Sequence, residues 1–122
     1  MVHGADGLDE LSTTGYTKVS ECHGQVVRTF YVHPSDVGLA KATAQALQGA
    51  SAADNAAIIR GVLAGEPGAA RDVVLLNAGA ALFVAGRVGS LRDGLALAAT
   101  SIDNGHAART LAALCAVTGA PA

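Results

Sequence analysis

Apolar positions along this chain change period near residue 34, alternating before it and recurring at helical spacing after it. Thr17 to His23 and Val26 to Val32 are rich in β-favouring residues and meet around Gly24-Gln25, the pattern of a β-hairpin. The second stretch sets Val26, Arg28, Phe30 and Val32 against Val27, Thr29 and Tyr31, so both faces carry bulk. A strand apolar on both sides calls for cover on both sides. Pro34-Ser35-Asp36 ends it, and the first dozen residues read as a strand end running into a loop.

The remainder reads as helical. Lys41 to Leu47 predicts a short helix stopped by Gly49. Ser51 caps the next, with Asp54 in the place of the capping-box Glu; Ile58, Ile59, Val62 and Leu63 form its apolar stripe, and Gly65 with Pro67 closes it. Arg71 to Arg87 is apolar nearly all round, through Val73, Val74, Leu76, Ala80, Phe83 and Val84, and such a helix belongs inside a structure. Ser90 and Asp93 repeat the cap ahead of a helix carrying Leu95, Ala98 and Ile102, which stops at Asn104-Gly105. A last helix, His106 to Val117, is expected to bury Leu111, Leu114 and Cys115 and to end at Gly119, ahead of a frayed Gly-Ala-Pro-Ala tail. Small residues such as Gly79, Ala80, Ala81 and Gly86 predict close approach between elements.

Composition sets outer limits. A length of 122 residues allows one domain with a modest core. Apolar residues make up 51%, mostly Ala, Val and Leu, with no Trp. Gly, Arg, Asp and Asn break every apolar run short of the ~18 residues that a membrane span needs. The opening residues lack the basic-then-apolar order of an export signal, so the chain reads as cytoplasmic. A net charge of −2 gives no general attraction to nucleic acid or anionic lipid. Cys22 and Cys115 are too few and too far apart for a disulfide framework, and Cys22-His23 offers only half of a structural zinc site. Both cysteines read as reduced and structural, the usual fate of a buried free cysteine.

The candidate chemistry lies in the run from His3 to Gly15, where Asp6, Asp9 and Glu10 fall within five positions between glycines. Carboxylates set close together repel, and such clusters commonly serve a cation or a proton. Mg²⁺ takes oxygen ligands and often binds through one or two carboxylates plus substrate phosphates, a use that adjacent Asp9-Glu10 fits. The same composition also makes a solvated turn, since Asp and Gly are the commonest turn residues. Asp6 reads as shaping the turn, His3 as a satisfied histidine at a strand end, and Asn77 as a packing or helix-end hydrogen-bond partner, because a buried amide needs partners.

Gly7-Leu8-Asp9-Glu10-Leu11-Ser12-Thr13-Thr14-Gly15, followed by Thr17-Lys18-Val19-Ser20-Glu21, resembles the late segment of anthranilate phosphoribosyltransferases. The resemblance continues through Phe30-Tyr31-Val32-His33-Pro34, Asp54-Asn55-Ala56-Ala57-Ile58-Ile59, Arg71 to Gly79 and Leu82-Phe83-Val84-Ala85-Gly86, in order along nearly the whole chain. Two departures stand just past the acidic run: Tyr16 where the family usually has Pro, and Cys22 where it has Leu. Related pyrimidine nucleoside phosphorylases share the architecture, but the Leu-Ser-Thr-Thr-Gly continuation points to the anthranilate branch.

The resemblance implies an α/β fold of the phosphoribosyltransferase and nucleoside-phosphorylase type, present in part: a few strands including a β-hairpin, then four to five helices, in a single unit over residues 1–122. It implies transfer of phosphoribose from phosphoribosyl pyrophosphate (PRPP) to anthranilate, a step of tryptophan synthesis, with Asp9 and Glu10 holding Mg²⁺ on the leaving pyrophosphate. The family's glycine-rich phosphate loop, its Lys-His-Gly-Asn motif and its N-terminal helical domain have no counterpart here. The chain therefore resembles the last third of such an enzyme, beginning inside a strand of the parallel sheet, and is expected to be inactive alone. Exposed apolar surface and an open sheet edge then predict self-association or a complementary N-terminal portion. The competing readings are a non-enzymatic interaction module and a nucleic-acid-binding member of the superfamily, the latter disfavoured by acidic charge and the lack of a Lys/Arg stripe.

Overall fold

Alternation and turn chemistry place the hairpin where the sequence puts it. In a computed structural model that describes residues 1–119, strands β1 (Val2–Gly4), β2 (Thr17–His23) and β3 (Val26–Val32) form an antiparallel sheet in that order. Gly24 makes the β2–β3 turn at φ +61°, a left-handed conformation that costs glycine little. The register pairs Val19 with Phe30 and Thr17 with Val32. Every strand pairing among the described residues is antiparallel, and a parallel neighbour for β1 would have to come from polypeptide outside them. The segment between β1 and β2 doubles straight back, with Ala5 N–H donating to the Tyr16 carbonyl at 2.8 Å, and parallel pairing would need a crossover. Of the expected frayed tail, all but Gly119 lies outside the described residues.

Four α-helices follow: α1 (Ala52–Leu63), α2 (Ala69–Val84), α3 (Leu91–Asp103) and α4 (His106–Thr118). The Ser51 cap forms as read, its side chain accepting from Asp54 N–H while the Asp54 carboxylate accepts from Ser51 N–H. Ser90 likewise caps α3 by accepting from Asp93 N–H. The helix expected over Lys41 to Leu47 shrinks to one 3₁₀ turn, Ala44–Leu47, because Thr43 is extended and caps it; the Ala42 N–H just before the cap donates to the Thr13 carbonyl at 2.9 Å. None of the helices of the described residues is long and apolar enough to cross a membrane.

The core lies between α2 and α3, where Leu75, Leu76, Leu95, Ala98 and Ile102 are joined by Val62 of α1 and Leu11 of the β1–β2 loop. Val2, Val19 and Val32 of the sheet pack against it from one side. Helix α2 is central as expected, but α4 is peripheral. Leu114 and Cys115, expected inside, are exposed, and Leu111 is half-buried. Both faces of β3 lack the cover that its composition called for: Val26 on one face, and Val27 and Tyr31 on the other, stand more than half exposed. The accessible surface of 7887 Å² compares with roughly 6000 Å² for a monomer of this mass, so much apolar area that could be buried is open.

The anticipated close approach falls at one crossing. A Cβ added to Gly79 of α2 would lie 2.7 Å from Leu95 N and 2.9 Å from the Gly94 carbonyl carbon, and one added to Gly94 would strike the Gly79 carbonyl. Gly79→Ala must therefore push α2 and α3 apart. We expect it to lower unfolding free energy by about 1–3 kcal/mol, measured by urea denaturation.

Candidate functional site

The acidic run forms the loop between β1 and β2, and its backbone is fastened on two sides. On the solvent side, Gly4 N–H donates to the Leu8 carbonyl at 2.8 Å and Gly7, at φ +92°, turns the chain. Asp6 organises this turn. Its carboxylate accepts from Ser12 Oγ at 2.5 Å, from Thr14 Oγ1 and from Leu8 N–H at 3.2 Å. Those bonds, Ser12's first and Thr14's next, hold the Asp6 carboxyl below the usual value of 3.8. Behind it, the buried Thr17 hydroxyl accepts from Ser12 N–H at 2.9 Å.

On the core side the fastening is Asn77, from the middle of α2. Its Oδ1 accepts from Leu11 N–H at 2.9 Å, and its Nδ2 donates to the Leu11 carbonyl at 2.8 Å and to the Val73 carbonyl at 3.0 Å. The Leu11 side chain meanwhile sits in the core, 3% exposed. Sequence reading found an amide in need of partners, and it has them. They lie on a loop 66 positions away rather than at a helix end, which no local pattern discloses.

Asp9 and Glu10 are what this frame presents. Both side chains are exposed, and no hydrogen bond or ion pair among the described residues uses either carboxylate. Glu10 stands at the rim of an open groove of about 340 Å³ whose walls include Ile58, Ile59 and Val62 of α1 and Val74 of α2. Two uncommitted carboxylates are hard oxygen donors suited to Mg²⁺. Among the described residues no three of His, Cys, Asp or Glu gather into a metal cage. That donor set fits an ion that keeps waters and takes phosphate oxygens for its remaining ligands.

The other sequence candidates separate from this site. Asp6 is engaged by hydroxyls and acts as a turn residue. His3 lies on β1 opposite Lys18, exposed and not satisfied by any side-chain bond among the described residues. Cys22 and His23, successive on β2, point to opposite faces and cannot converge on one ion. Neither Cys22 nor Cys115 is the buried thiol expected; both are exposed. Tyr16, where the family usually has Pro, rests its ring 4.8 Å from that of His33, so the departure is absorbed by a contact at the end of β3.

With that geometry in view, comparison with known proteins is informative. The family described as "Glycosyl transferase family, a/b domain" matches residues 1–108. Anthranilate phosphoribosyltransferase of Parvibaculum lavamentivorans is 51% identical over 118 residues, covering 97% of this chain and 35% of its own length. The crystal structure of anthranilate phosphoribosyltransferase from Thermus thermophilus superposes with a TM-score of 0.86 at 38% identity, over 98% of this chain and 35% of that one. The Saccharomyces cerevisiae enzyme in complex with PRPP and Mg gives 0.82 at 28% identity, over 90% and 32%. The chain thus spans about a third of the length of these relatives.

The Asp6 arrangement yields a pH test. A folded-state value below 3.8 means that the ionised carboxylate stabilises the fold fully well above 3.8. That contribution fades as pH falls below 3.8 and is gone beneath the lowered folded value. Wild type should therefore melt above Asp6→Asn at about pH 6, and the gap should close on acidification in thermal scans followed by circular dichroism.

Proposed function

The chain belongs to the glycosyl transferase family, a/b domain, and on that premise we propose that it supplies the metal-holding portion of an anthranilate phosphoribosyltransferase. It corresponds in this reading to the C-terminal third of the α/β catalytic domain, acting in tryptophan synthesis in the cytoplasm. The substrates are PRPP and anthranilate. The observation that carries the reading is the exposed, uncommitted Asp9-Glu10 pair on a loop otherwise tied down by Asp6, Thr17 and Asn77.

Departure of pyrophosphate from the anomeric carbon of PRPP builds negative charge on the leaving group while the sugar acquires oxocarbenium character. Mg²⁺, when bound, supplies neutralisation of that charge and a template for the phosphates. Asp9 and Glu10 are the residues that would hold it. Fixing the loop beforehand means that little ordering remains to be done when the diphosphate arrives, which is the positional part of such catalysis.

Grip on the 5-phosphate and on anthranilate falls, in this reading, to polypeptide beyond these residues. The half-covered groove beside Glu10 and the open hairpin support that division, because apolar patches of this extent call for a partner surface. The 122 residues alone are then expected to show no transferase activity and to self-associate or to pair with a complementary N-terminal portion.

Two measurements test the proposal. Mixing the chain with the N-terminal portion of a relative should restore PRPP-dependent loss of anthranilate fluorescence, and Asp9→Asn with Glu10→Gln should cut the restored rate by at least about 100-fold. Light scattering on the chain alone should give a mass above that of one copy; a clean monomer at high concentration contradicts the association.

A further inference from the structure

We infer that Asn77 is a positioning residue for the acid pair: its paired hydrogen bonds to the Leu11 backbone set how tightly Asp9 and Glu10 bind a divalent cation. The inference rests on the metal reading above and adds to it a residue that touches neither metal nor substrate.

Leu11 N–H can only donate and its carbonyl can only accept, so the Asn77 amide has one orientation, with Oδ1 toward the N–H and Nδ2 toward the carbonyl. The third bond, Nδ2 to the Val73 carbonyl one helical turn back, fixes the side chain against its own helix. Both amide hydrogens and the oxygen are used, at a part-buried site where each unmade bond would cost the desolvation of its partner. An Asn in the apolar middle of a helix is intrinsically unfavourable there, and the tertiary bonds are what offsets it. The clamp grips the residue directly after Glu10, and the Leu11 side chain is sunk in the core. Rotation of the backbone at residues 9 and 10 is thereby limited from one end, while the Asp6 turn limits it from the other. Two adjacent carboxylates chelate one ion more tightly when the backbone between them is already held in one twist, because less ordering is left to do on binding. Losing the clamp should therefore weaken binding without removing a ligand.

The test titrates the full chain with Mn²⁺, followed by the paramagnetic resonance of the free ion, alongside amide hydrogen exchange without metal. Wild type should bind, and Asp9→Asn or Glu10→Gln should abolish binding. Asn77→Ala should remain folded and lose about 10- to 100-fold in Mn²⁺ affinity, as outer partners of metal ligands do. Its Leu11 amide should exchange at least about tenfold faster while α3 amides keep their rates, as local opening requires. Ile102→Val, which thins the core on α3 and leaves every hydrogen bond of the clamp in place, should lower stability but leave Mn²⁺ affinity unchanged, so a merely structural loss is told apart. Asn77→Ala binding Mn²⁺ like wild type, or keeping Leu11 exchange slow, overturns the inference and leaves the metal reading standing. If the alanine variant fails to fold, the comparison is read on Asn77→Gln, which keeps the amide one methylene further out; unchanged affinity and exchange there overturn it equally. A wild-type chain that takes up no Mn²⁺ overturns the metal reading and this inference together.

Discussion

Asn77 meets the backbone of Leu11 with a donor and an acceptor at once, and the core-side anchoring of the β1–β2 loop depends on that contact. A loop rich in Gly and Asp has no helix or ladder to satisfy its backbone groups and would ordinarily leave them to water. Here a side chain from the core helix replaces one ladder rung. Leu11 is held by its main chain and its side chain together, so the polypeptide passes from an exposed Glu10 to a buried Leu11 within a single residue. That abrupt change places two carboxylates at the surface with a rigid floor beneath them.

The three acids of the loop divide between two kinds of work. Asp6 is surrounded by donors, with Ser12 and Thr14 hydroxyls and the Leu8 amide supplying what water otherwise would. Asp9 and Glu10 receive none of these. Concentrating the available hydroxyls on one carboxylate leaves its neighbours with their lone pairs free, which a hard cation requires. The hydroxyls of Ser12 and Thr14 therefore belong to the candidate site with the acids, because they shape the turn that presents the pair.

Local signals were legible in the chain and tertiary ones were not. Hairpin bounds at Thr17–His23 and Val26–Val32, the Ser51–Asp54 box and the Ser90 cap all depend on neighbours within a few residues, and all formed as read. Lys41 to Leu47 shortened because Thr43 takes an extended conformation and caps the turn, while the Ala42 amide bonds the Thr13 carbonyl, far away in sequence. Periodicity on α4 marked Leu114 and Cys115 for burial, and both are exposed, because it cannot say whether a surface lies opposite; here none does among the described residues. Asn77 announced itself as an amide in an apolar helix, but its partner lay outside any window that pattern reading uses. The position of Asp9 and Glu10 on one exposed loop was readable, whereas the separation of Asp6 from them depended on which hydroxyls folded inward.

The contact between Gly79 and Gly94 bears on this loop from behind. Gly79 lies two residues past Asn77 on the same helix, and α3 rests on it with no side chain in between. Backbone packed on backbone, with only the Leu95 side chain alongside, leaves little to reshuffle, so α2 is braced as a beam is braced by a strut. A force that tugged the acidic loop outward would have to bend that beam against its support. The stiffness available to a surface site is thus set on the far side of the helix, by two residues whose contribution is the absence of any side chain at all.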